Sequence, residues 1–329
     1  MGSGSMRIDG QLNLHVREHC ISLDTSGSAD SVAFVSHAHS DHISALKNPH
    51  KKILASDETV ALSNASNSRI SSLDGLRLSL LPSGHMLGSS QLRVEWDSQS
   101  FTYTGDFKLG ESLTAKKAEV KETEKLLIEG TFGNPANKFP ARGEVYDSIS
   151  KFISRNYNAG HIVLLGGYSL GKAQELVAIA NKYCSLKPVV SESIDRACRV
   201  YARFGVRLDS AVIGSPEADE LMRSNFVAVM PMHTVNFDFA TRLSRAHRRS
   251  VYSAVATGWA SSMKFPVDEA FPLSDHADFP QLLEYIETAK PKEILCCHGN
   301  EERLSKELRS RGWNARPIAE ALQARISGW

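Results

Sequence analysis

Ser36-His37-Ala38-His39-Ser40-Asp41-His42 holds four metal-binding side chains within six residues. It directly follows residues 31–36 (SVAFVS), which have the length and composition of a β-strand. On an extended backbone His37 and His39 point the same way, because strand side chains alternate between two faces. Asp41 and His42 then lie on the turn beyond. This pattern predicts a metal-binding loop rather than a histidine-rich surface loop.

Three further metal-binding candidates each follow the end of a predicted strand. His85 follows residues 76–81 (LRLSLL), Asp106 follows 101–104 (FTYT) and His298 follows 293–297 (EILCC). With the loop they make five histidines and two aspartates, which suits two borderline cations such as zinc. Two such cations about 3.5–4 Å apart would activate a water and align attacking and leaving oxygens. That chemistry hydrolyses phosphodiesters or esters.

Composition leaves the partner open. The 329 residues are 42% apolar, enough for one large domain or two ordinary ones. Basic and acidic residues number 38 and 37, so any polyanion must be met by a local patch. No signal peptide and no apolar run of ~18 residues is found, so we expect a cytoplasmic protein without a membrane partner. Met1–Ser5 resembles an expression scar.

The cysteines indicate a reducing compartment and no disulfide framework. They are five, scattered and without a metal-binding spacing: Cys20, Cys184, Cys198, Cys296 and Cys297. The adjacent Cys296 and Cys297 would point to opposite faces of a strand, which argues against a metal pair there.

The chain changes pattern near residue 138. Before it, short β patterns dominate, also at 52–55, 91–96 and 125–128. After it, we predict a helix over 143–157, a strand over 161–165 and a helix over 171–183. The C-terminal part predicts a helix over 279–288, a strand over 293–297 and a helix over 301–311.

The loop at 37–42 resembles the HxHxDH signature of the metallo-β-lactamase superfamily, and His85 and Asp106 match its later motifs. The resemblance implies two zinc ions, with manganese as the alternative. It gives the first metal His37, His39 and His85, the second Asp41 and His42, and makes Asp106 the bridge. Asp24 matches the superfamily's first-strand aspartate, which orients the cluster without binding metal.

Further motifs narrow the resemblance to the β-CASP branch, whose members act on nucleic acids. Glu129 in residues 127–133 (LIEGTFG) is similar to its first motif, and His276 in 273–279 (LSDHADF) to its second. His298 in 297–299 (CHG) is similar to the third, a ligand of the second metal. The resemblance implies an α/β fold: an αββα sandwich from residues 1–137 and 273–329, with an α/β cap inserted at 138–272.

The resemblance also implies catalytic roles for Asp41, Glu129 and His276. His276, oriented and kept protonated by Glu129, would give a proton to the leaving oxygen. The pairing is chemically sound, because a carboxylate beside an imidazole raises the histidine pKa.

Residues 164–176 (LLGGYSLGKAQEL) have the glycine and lysine spacing of a P-loop, but Ala173 replaces the Ser or Thr that holds magnesium. They resemble instead the glycine–lysine turn that opens a cap helix in β-CASP nucleases. Ser169 and Lys172 are therefore predicted to bind a substrate phosphate at the helix start. Simple helix capping is the alternative.

Two basic clusters leave nucleic-acid contact and solvated surface as alternatives; solvated surface is the first choice for the cluster near residue 50, and neither is preferred for the cluster near residue 245. One contains Lys47, His50, Lys51 and Lys52; the other contains Arg242, Arg245, His247, Arg248 and Arg249. Trp259 is expected to pack or to stack on a base. His161, His233 and His247 are expected to be structural or surface residues.

The compact length, residues 167–176 and residues 273–279 resemble ligase-associated DNA exonucleases, which are also labelled mRNA 3′-end-processing-factor-like. We therefore expect an exonuclease for single-stranded DNA ends in repair, and the resemblance implies DNA ligase or helicase partners. His298 is associated with RNA-acting members, so an RNA-processing endo- or exonuclease is the alternative. An inactive scaffold would have lost some of the metal ligands, and none of the seven is lost here. A small-molecule metallohydrolase would have neither the insert nor the Glu129–His276 pair, and the sequence has both.

Overall fold

The structure is a computed structural model that describes residues 6–320. The scar-like residues 1–5 and the end of the predicted core, 321–329, lie outside the described residues. In chain order the strands are β1 (Arg7–Ile8), β2 (Asn13–Val16), β3 (His19–Leu23), β4 (Val32–Phe34), β5 (Ile53–Leu54), β6 (Arg77–Pro82), β7 (Ser90–Trp96), β8 (Gln99–Tyr103), β9 (Lys125–Gly130), β10 (Ile162–Gly167), β11 (Val189–Val190), β12 (Ala211–Val212), β13 (Val227–Pro231), β14 (Val251–Ala256), β15 (Glu269–Phe271), β16 (Glu293–Gly299) and β17 (Ala315–Pro317).

The helices, again in chain order, are α1 (Asp57–Ser63), α2 (Arg142–Asn158), α3 (Lys172–Cys184), α4 (Glu192–Arg203), α5 (Pro216–Leu221), α6 (Phe237–His247), α7 (Phe279–Ala289) and α8 (Glu301–Ser310). Short 3₁₀ turns occupy Ser44–Lys47, Met232–Thr234 and Gly258–Ser261. Among the described residues, no helix combines the length and the hydropathy that a membrane span requires.

The chain forms two compact units. The core unit contains the described residues up to Glu111, then Lys116–Lys138, then the residues from His276 onward. The insert unit contains Ser112–Ala115 and Phe139–Asp275. The divisions expected from sequence, after residues 137 and 272, fall close to these boundaries.

The core unit is built on two sheets. Their strand orders are β1-β2-β3-β4-β5 and β17-β16-β9-β8-β7-β6. Alternating apolar residues of both sheets pack into one buried cluster, in which Phe34 of the first sheet meets Tyr103 of the second edge-to-face at 6.0 Å. Such alternation is what strand geometry requires of a face turned to a core.

Helices cover the outer faces of both sheets. On the second sheet, Leu126, Ile128 and Cys296 pack against α7 and α8. Cys297 lies in the cluster between the sheets, so the two adjacent cysteines do face opposite ways. On the first sheet, Ala33, Val35 and Ile53 pack beneath α1 and the turn Ser44–Lys47. The expected α/β fold class, an αββα sandwich interrupted by an α/β insert, is confirmed.

The insert unit contains a six-stranded parallel sheet with helices on both faces. Its strand order is β12-β11-β13-β10-β14-β15. Val163 and Leu165 of β10 face one helix layer, while Ile162 and Leu164 face the other. The predicted elements at 143–157, 161–165 and 171–183 correspond to α2, β10 and α3. The remaining elements up to β15 had no prediction.

Candidate metal centre

The predicted site residues of the core unit lie where strands end. In the second sheet β6, β8, β9 and β16 run in one direction, because β8, β9 and β16 pair in parallel and β7 is antiparallel to both β6 and β8. In the first sheet β3 and β4 are parallel. Parallel strands bring their carboxyl ends to one edge of a sheet. Asp24, the loop at 36–42, His85 and Asp106 follow these ends, and Glu129 and His298 are the second-last residues of β9 and β16.

Four side chains form a tight cluster: His37, His39, His85 and Asp106. One ligand atom from each lies within 4.8 Å of all the others. His39 Nδ1 is 3.0 Å from His37 Nε2 and 3.1 Å from His85 Nε2. Asp106 Oδ2 is 3.5 Å from His37 Nε2 and 3.8 Å from His85 Nε2. The structure therefore brings together the residues predicted for the first metal.

These separations fit a metal ion. Ligand atoms arranged tetrahedrally around zinc, at bonds of ~2.0–2.1 Å, stand about 3.3–3.4 Å apart. Burial and the neighbouring histidines hold the pKa of His37 well below its usual range. A neutral imidazole keeps the lone pair that a cation needs. The donor set, three imidazoles and one carboxylate oxygen, also matches zinc chemistry.

Tight turns place His85 and Asp106. Gly84 has φ +83°, and a Cβ on it would lie 2.2 Å from the Lys108 carbonyl oxygen. Ser83 Oγ donates to the Asp106 carbonyl at 2.8 Å, which ties the two ligand-bearing turns together. The sequence Pro-Ser-Gly-His after β6 therefore has a steric reason for its glycine.

The residues predicted for the second metal are arranged more openly. His42 Nε2 lies 3.5 Å from Asp106 Oδ2 and 3.6 Å from Asp41 Oδ2. The His298 ring centre is 5.8 Å from that of His42. The Asp41 side chain is 78% exposed. Asp106 Oδ2 is the atom that both ligand sets approach.

Asp24 supports this second set through hydrogen bonds. It lies at φ +55° directly after β3 and is buried. Its carboxylate accepts from Ser36 N at 2.6 Å, Ser36 Oγ at 2.7 Å, His42 Nδ1 at 2.9 Å and Tyr103 Oη at 2.9 Å. Because Nδ1 of His42 donates to Asp24, Nε2, which faces Asp106, is the nitrogen that would carry the lone pair once a bound metal displaces its proton.

Tyr103 is a site residue that sequence reasoning missed. It is fully buried in β8, and burial raises its pKa well above the usual value. Its hydroxyl donates to Asp24, so the His298 Nε2 at 3.0 Å donates to Tyr103. Nδ1 of a neutral His298 is then left with the lone pair. The only signal in the sequence was its position three residues before Asp106, on the inward-facing side of β8.

An irregularity in β16 orients His298. The pairing of β16 with β9 shifts between Cys297 and Gly299, and His298 adopts φ +60°. A bulge of this kind re-aims one side chain and is common next to active sites. The histidine at the third motif therefore leaves the strand direction at the point where the site begins.

The pKa of His42 depends on the carboxylates that surround it in the centre. Burial lowers its pKa, but the carboxylates of Asp24, Asp106 and Asp41 together raise it to about 10. Asp24 shows the reverse: burial raises its pKa, yet His42 and the Ser36 donors hold it below the usual value. Burial raises the pKa of Asp106. The centre thus concentrates negative charge that positive charge must balance.

Glu129 and His276 form a hydrogen-bonded pair beside the metal-binding cluster. His276 Nδ1 lies 3.0 Å from Glu129 Oε2, and its Nε2 lies 3.8 Å from Asp106 Oδ2. Glu129 is buried and accepts from the Phe107 N–H at 2.9 Å. Although burial raises its pKa, His276 holds the pKa of Glu129 below the usual value. The carboxylate fixes the ring so that Nε2 faces the cluster.

Lys172, predicted to contact a substrate phosphate, lies in a buried ion pair. It is 2% exposed, and its Nζ lies 2.7 Å from Asp275 Oδ1 within the insert unit. In this position the ammonium balances a carboxylate, and its predicted phosphate contact stays a prediction. The helix start is capped locally, because the Gly171 N–H donates to Gln174 Oε1 at 2.7 Å. Ser169 is half-buried in the same turn, and its predicted contact stays a prediction.

The basic clusters separate into structural and exposed members. Lys51 is buried and its Nζ donates to Ser31 Oγ at 2.7 Å, so it holds the chain before β4 instead of facing a substrate. Arg249 donates to the Gly160 carbonyl at 3.3 Å. Arg242, Arg245 and Arg248 are exposed.

The lone histidines and Trp259 are accounted for in part. His161 packs against the Tyr252 ring at 5.0 Å, and His247 Nδ1 lies 3.2 Å from the Met222 carbonyl. His233 is exposed, and Trp259 is 37% exposed.

The fold and the clustered potential ligands together resemble those of metallohydrolases of the metallo-β-lactamase type. Residues 269–316 match the family described as Zn-dependent metallo-hydrolase RNA specificity domain. The chain is 32% identical to a probable DNA ligase of Opitutus terrae over 89% of this chain and 29% of that protein. It is 32% identical to an RNase J-like protein of Methanocaldococcus jannaschii over 33% of this chain and 27% of that protein.

A third relative matches along most of the chain. The DNA cross-link repair protein SNM1 of Arabidopsis thaliana is 22% identical over 80% of this chain and 60% of that protein. The chain thus spans less than two thirds of each of these relatives. In its motifs, its fold and these similarities the chain resembles the β-CASP branch of the metallo-β-lactamase superfamily.

Proposed function

We propose that the protein is a two-metal nuclease that hydrolyses phosphodiester bonds of nucleic acid. One observation carries the proposal: a single oxygen, Asp106 Oδ2, lies 3.5 to 3.8 Å from the Nε2 atoms of four histidines, His37, His42, His85 and His276. A carboxylate in that position serves two ligand sets and the proton-carrying residue together. Two zinc ions, or manganese, are the proposed cofactors.

The chain's residues then divide the work. His37, His39 and His85 would hold one ion; Asp41, His42 and His298 would hold the other; Asp106 would serve both. Bound there, the pair would activate a water and neutralise charge on the phosphoryl oxygens. Asp24 and Tyr103 keep His42 and His298 in the tautomers that leave a lone pair for a cation.

His276 is the proposed proton donor to the leaving oxygen. Its Nδ1 is held by Glu129, so Nε2 is the atom that carries or releases the proton at the cluster. Glu129 lies 3.0 Å from Nδ1, and 23% of the His276 side chain is exposed. An accessible imidazole oriented by a carboxylate suits general acid catalysis.

Single-stranded DNA ends are the favoured substrate. The ligase-named relative and the cross-link repair relative match along 89% and 80% of this chain, whereas the RNase J-like relative matches 33%. The names of these two relatives support a proposed role in DNA repair with a DNA ligase as partner, and the resemblance seen in the sequence adds a helicase to the proposed partners. RNA processing is the second candidate, because residues 269–316 match a domain named for RNA specificity.

A digest of matched strands tests the substrate. Labelled single-stranded DNA and RNA of identical sequence, each with either end blocked, are incubated with the zinc- or manganese-loaded protein. We expect faster trimming of DNA from one end. Asp106→Asn is the inactive control, expected to lose on the order of 10³-fold in rate. If RNA is cut tenfold faster than DNA, or if internal cuts dominate at the earliest times, the DNA exonuclease proposal is wrong and the RNA-processing alternative takes its place.

A further inference from the structure

Helix α6 of the insert unit is unusually exposed for a helix that packs on a sheet. None of its residues is fully buried; Phe239, Ala240 and Leu243 supply its partly buried contacts. Its first residue, Phe237, is 74% exposed, more than the other large apolar side chains on the described surface. A single exposed aromatic ring is common on protein surfaces, so the significance of Phe237 depends on the groups beside it.

Positive charge predominates along the same helix and just after it. Residues 237–249 contain four arginines and one acidic residue, Asp238, which stands four positions before Arg242. Arg245 has arginines three residues before and three and four residues after it, a spacing at which like charges repel. On α4, by contrast, Arg196 and Arg199 each pair with an acidic residue four positions earlier, at 2.9 and 2.7 Å. On α6, Asp238 stands at this spacing from Arg242, whereas Arg245 has no acidic residue three or four positions away in the sequence.

The aromatic ring and the guanidinium line one pocket. A pocket of about 650 Å³ is bordered by Phe237, Thr241 and Arg245 on α6, by Ser250, Val251 and Ser253, and by Pro266, Val267 and Asp268. The Asp268 carboxylate accepts from Ser253 N at 2.7 Å and Ser253 Oγ at 2.8 Å. These two hydrogen bonds hold the carboxylate against the pocket wall. The volume lies within the range of small-molecule pockets.

We propose that α6 and this pocket form a second contact surface for single-stranded nucleic acid, in addition to the metal centre. Phe237 would stack on a base, and Arg245 with Arg242 would contact phosphates. Stacking aromatics beside basic side chains are the usual means by which proteins hold single strands without sequence preference. The inference rests on the proposed function, since it assigns to that nuclease an additional hold on its polymer. The positive charge of the arginines favours a polyanion as the partner, and the exposed Phe237 ring favours a polyanion that carries bases.

Binding is measured on the full chain in an Asp106→Asn background, so that the strand is not cut. Fluorescence anisotropy of labelled oligo(dT) compares this background with added Phe237→Ala or Arg245→Gln. Loss of stacking should weaken binding roughly fivefold to hundredfold. Arg245→Gln should lower the salt slope by about 0.7 for one phosphate contact. Circular dichroism melting checks that each variant is folded.

Matched controls come from the same unit. Arg196→Gln removes an exposed arginine that is paired with Glu192, and Phe204→Ala removes an aromatic side chain that is 36% exposed. Both should bind oligo(dT) as the background does. Affinity within twofold of the background for folded Phe237→Ala and Arg245→Gln would overturn the surface. So would competition by poly-glutamate as strong as that by unlabelled oligo(dT), which would indicate an acidic protein partner.

The two proposals fail differently. Hydrolysis of bis(p-nitrophenyl) phosphate by the unaltered, metal-loaded protein reports on the metal centre alone. If the protein hydrolyses neither this diester nor any nucleic acid but shows Phe237-dependent binding, the nuclease proposal is wrong and the contact surface stands. If it hydrolyses normally but its binding is independent of Phe237 and Arg245, the contact surface is wrong and the nuclease proposal stands.

Discussion

At Asp24, four hydrogen bonds from three residues converge on one buried carboxylate: two from Ser36, one from His42 and one from Tyr103. Burial alone would raise its pKa, yet the donors and His42 lower it. An ionised acceptor fixes the tautomer of His42 and, through the Tyr103 hydroxyl, that of His298. Residues that bind no metal thus determine which nitrogen atoms can.

Asp24→Asn should weaken retention of the second metal. The amide keeps the size of the side chain but loses the charge and one acceptor, so His42 and Tyr103 are no longer held. Changes to such supporting partners cost about 10- to 100-fold in metal affinity. A competition titration with a chromophoric chelator measures this. Asp9→Asn, which disturbs the Asp9–His15 pair at 3.1 Å, is the matched control and should change nothing. Unaltered affinity in Asp24→Asn would remove its supporting role.

His276→Ala should slow cleavage of natural phosphodiesters and leave metal content intact. General acid catalysis contributes roughly 10²–10⁴-fold, because an alkoxide leaves poorly without a proton. A nitrophenyl phosphodiester has a good leaving group and should be affected much less. Parallel kinetics on both substrates, with elemental analysis of each preparation, provide the measurement. Equal losses on the two would count against His276 as the acid.

Among the turns that follow the strands, the one after β6 tolerates the least change. Gly84→Ala would place a methyl group 2.2 Å from the Lys108 carbonyl oxygen and 2.8 Å from the Ala118 N–H, at a φ of +83°. We expect destabilisation of more than about 1 kcal/mol and loss of first-site metal, since His85 is the next residue. Urea unfolding and metal content are the readouts. Gly143→Ala, with nothing within 4 Å of the new methyl, should be neutral or stabilising. Normal metal content in Gly84→Ala would show that the turn adapts.

The turn before α3 is held by buried charges. Lys172 pairs with Asp275 at 2.7 Å, and Arg142 contacts both Asp275 at 3.1 Å and Glu175. Burial lowers the pKa of Lys172. Arg142 also donates to the Ser274 carbonyl at 2.6 Å, so the network fixes the two residues that precede His276 in the chain.

Lys172→Ala should therefore act on stability. Removing one partner leaves Asp275 with less compensation, and breaking a buried pair costs about 3–5 kcal/mol. Urea denaturation measures the loss. Lys187→Ala is the control: its exposed pairs with Asp209 and Glu217 should contribute no more than ~1 kcal/mol. If Lys172→Ala is folded with normal stability and lowers the salt slope of DNA binding by about 0.7, the structural role is wrong and the phosphate contact predicted from sequence is supported.

Over the whole chain, the sequence predicted those features that depend on a few neighbouring residues. Strand ends followed by His37, His85 or Asp106 could be located because polar residues after short apolar runs are visible in one dimension. The opposite faces of Cys296 and Cys297 followed from strand alternation alone. The separation into core and insert came from the resemblance, since nothing in periodicity requires residues 1–137 and 273–329 to share a sheet.

What the sequence did not reveal depends on contacts between distant residues. Tyr103 reads as an ordinary strand residue, and only the folded core unit brings its hydroxyl to Asp24, 79 positions away. The ion pair of Lys172 with Asp275, 103 positions later in the sequence, also forms only through the fold of the insert unit. Short strands such as β11 and β12, two residues each, carry too few residues for any alternation to show.

Metal removal should lower the stability of the core unit selectively. The proposed ligands all lie in that unit, and without cations its buried imidazoles and carboxylates crowd within 4.8 Å of one another. At free zinc about 100-fold above Kd, each site stabilises the native state by ~2.7 kcal/mol, and a domain of about 150–250 residues shifts by roughly 2–4 °C per kcal/mol. We expect elemental analysis to find about two metals per chain, and calorimetry in chelator to show one transition lowered by several degrees while that of the insert unit stays. No metal as purified, together with identical melting in chelator and in zinc, would contradict a metal centre at Asp106.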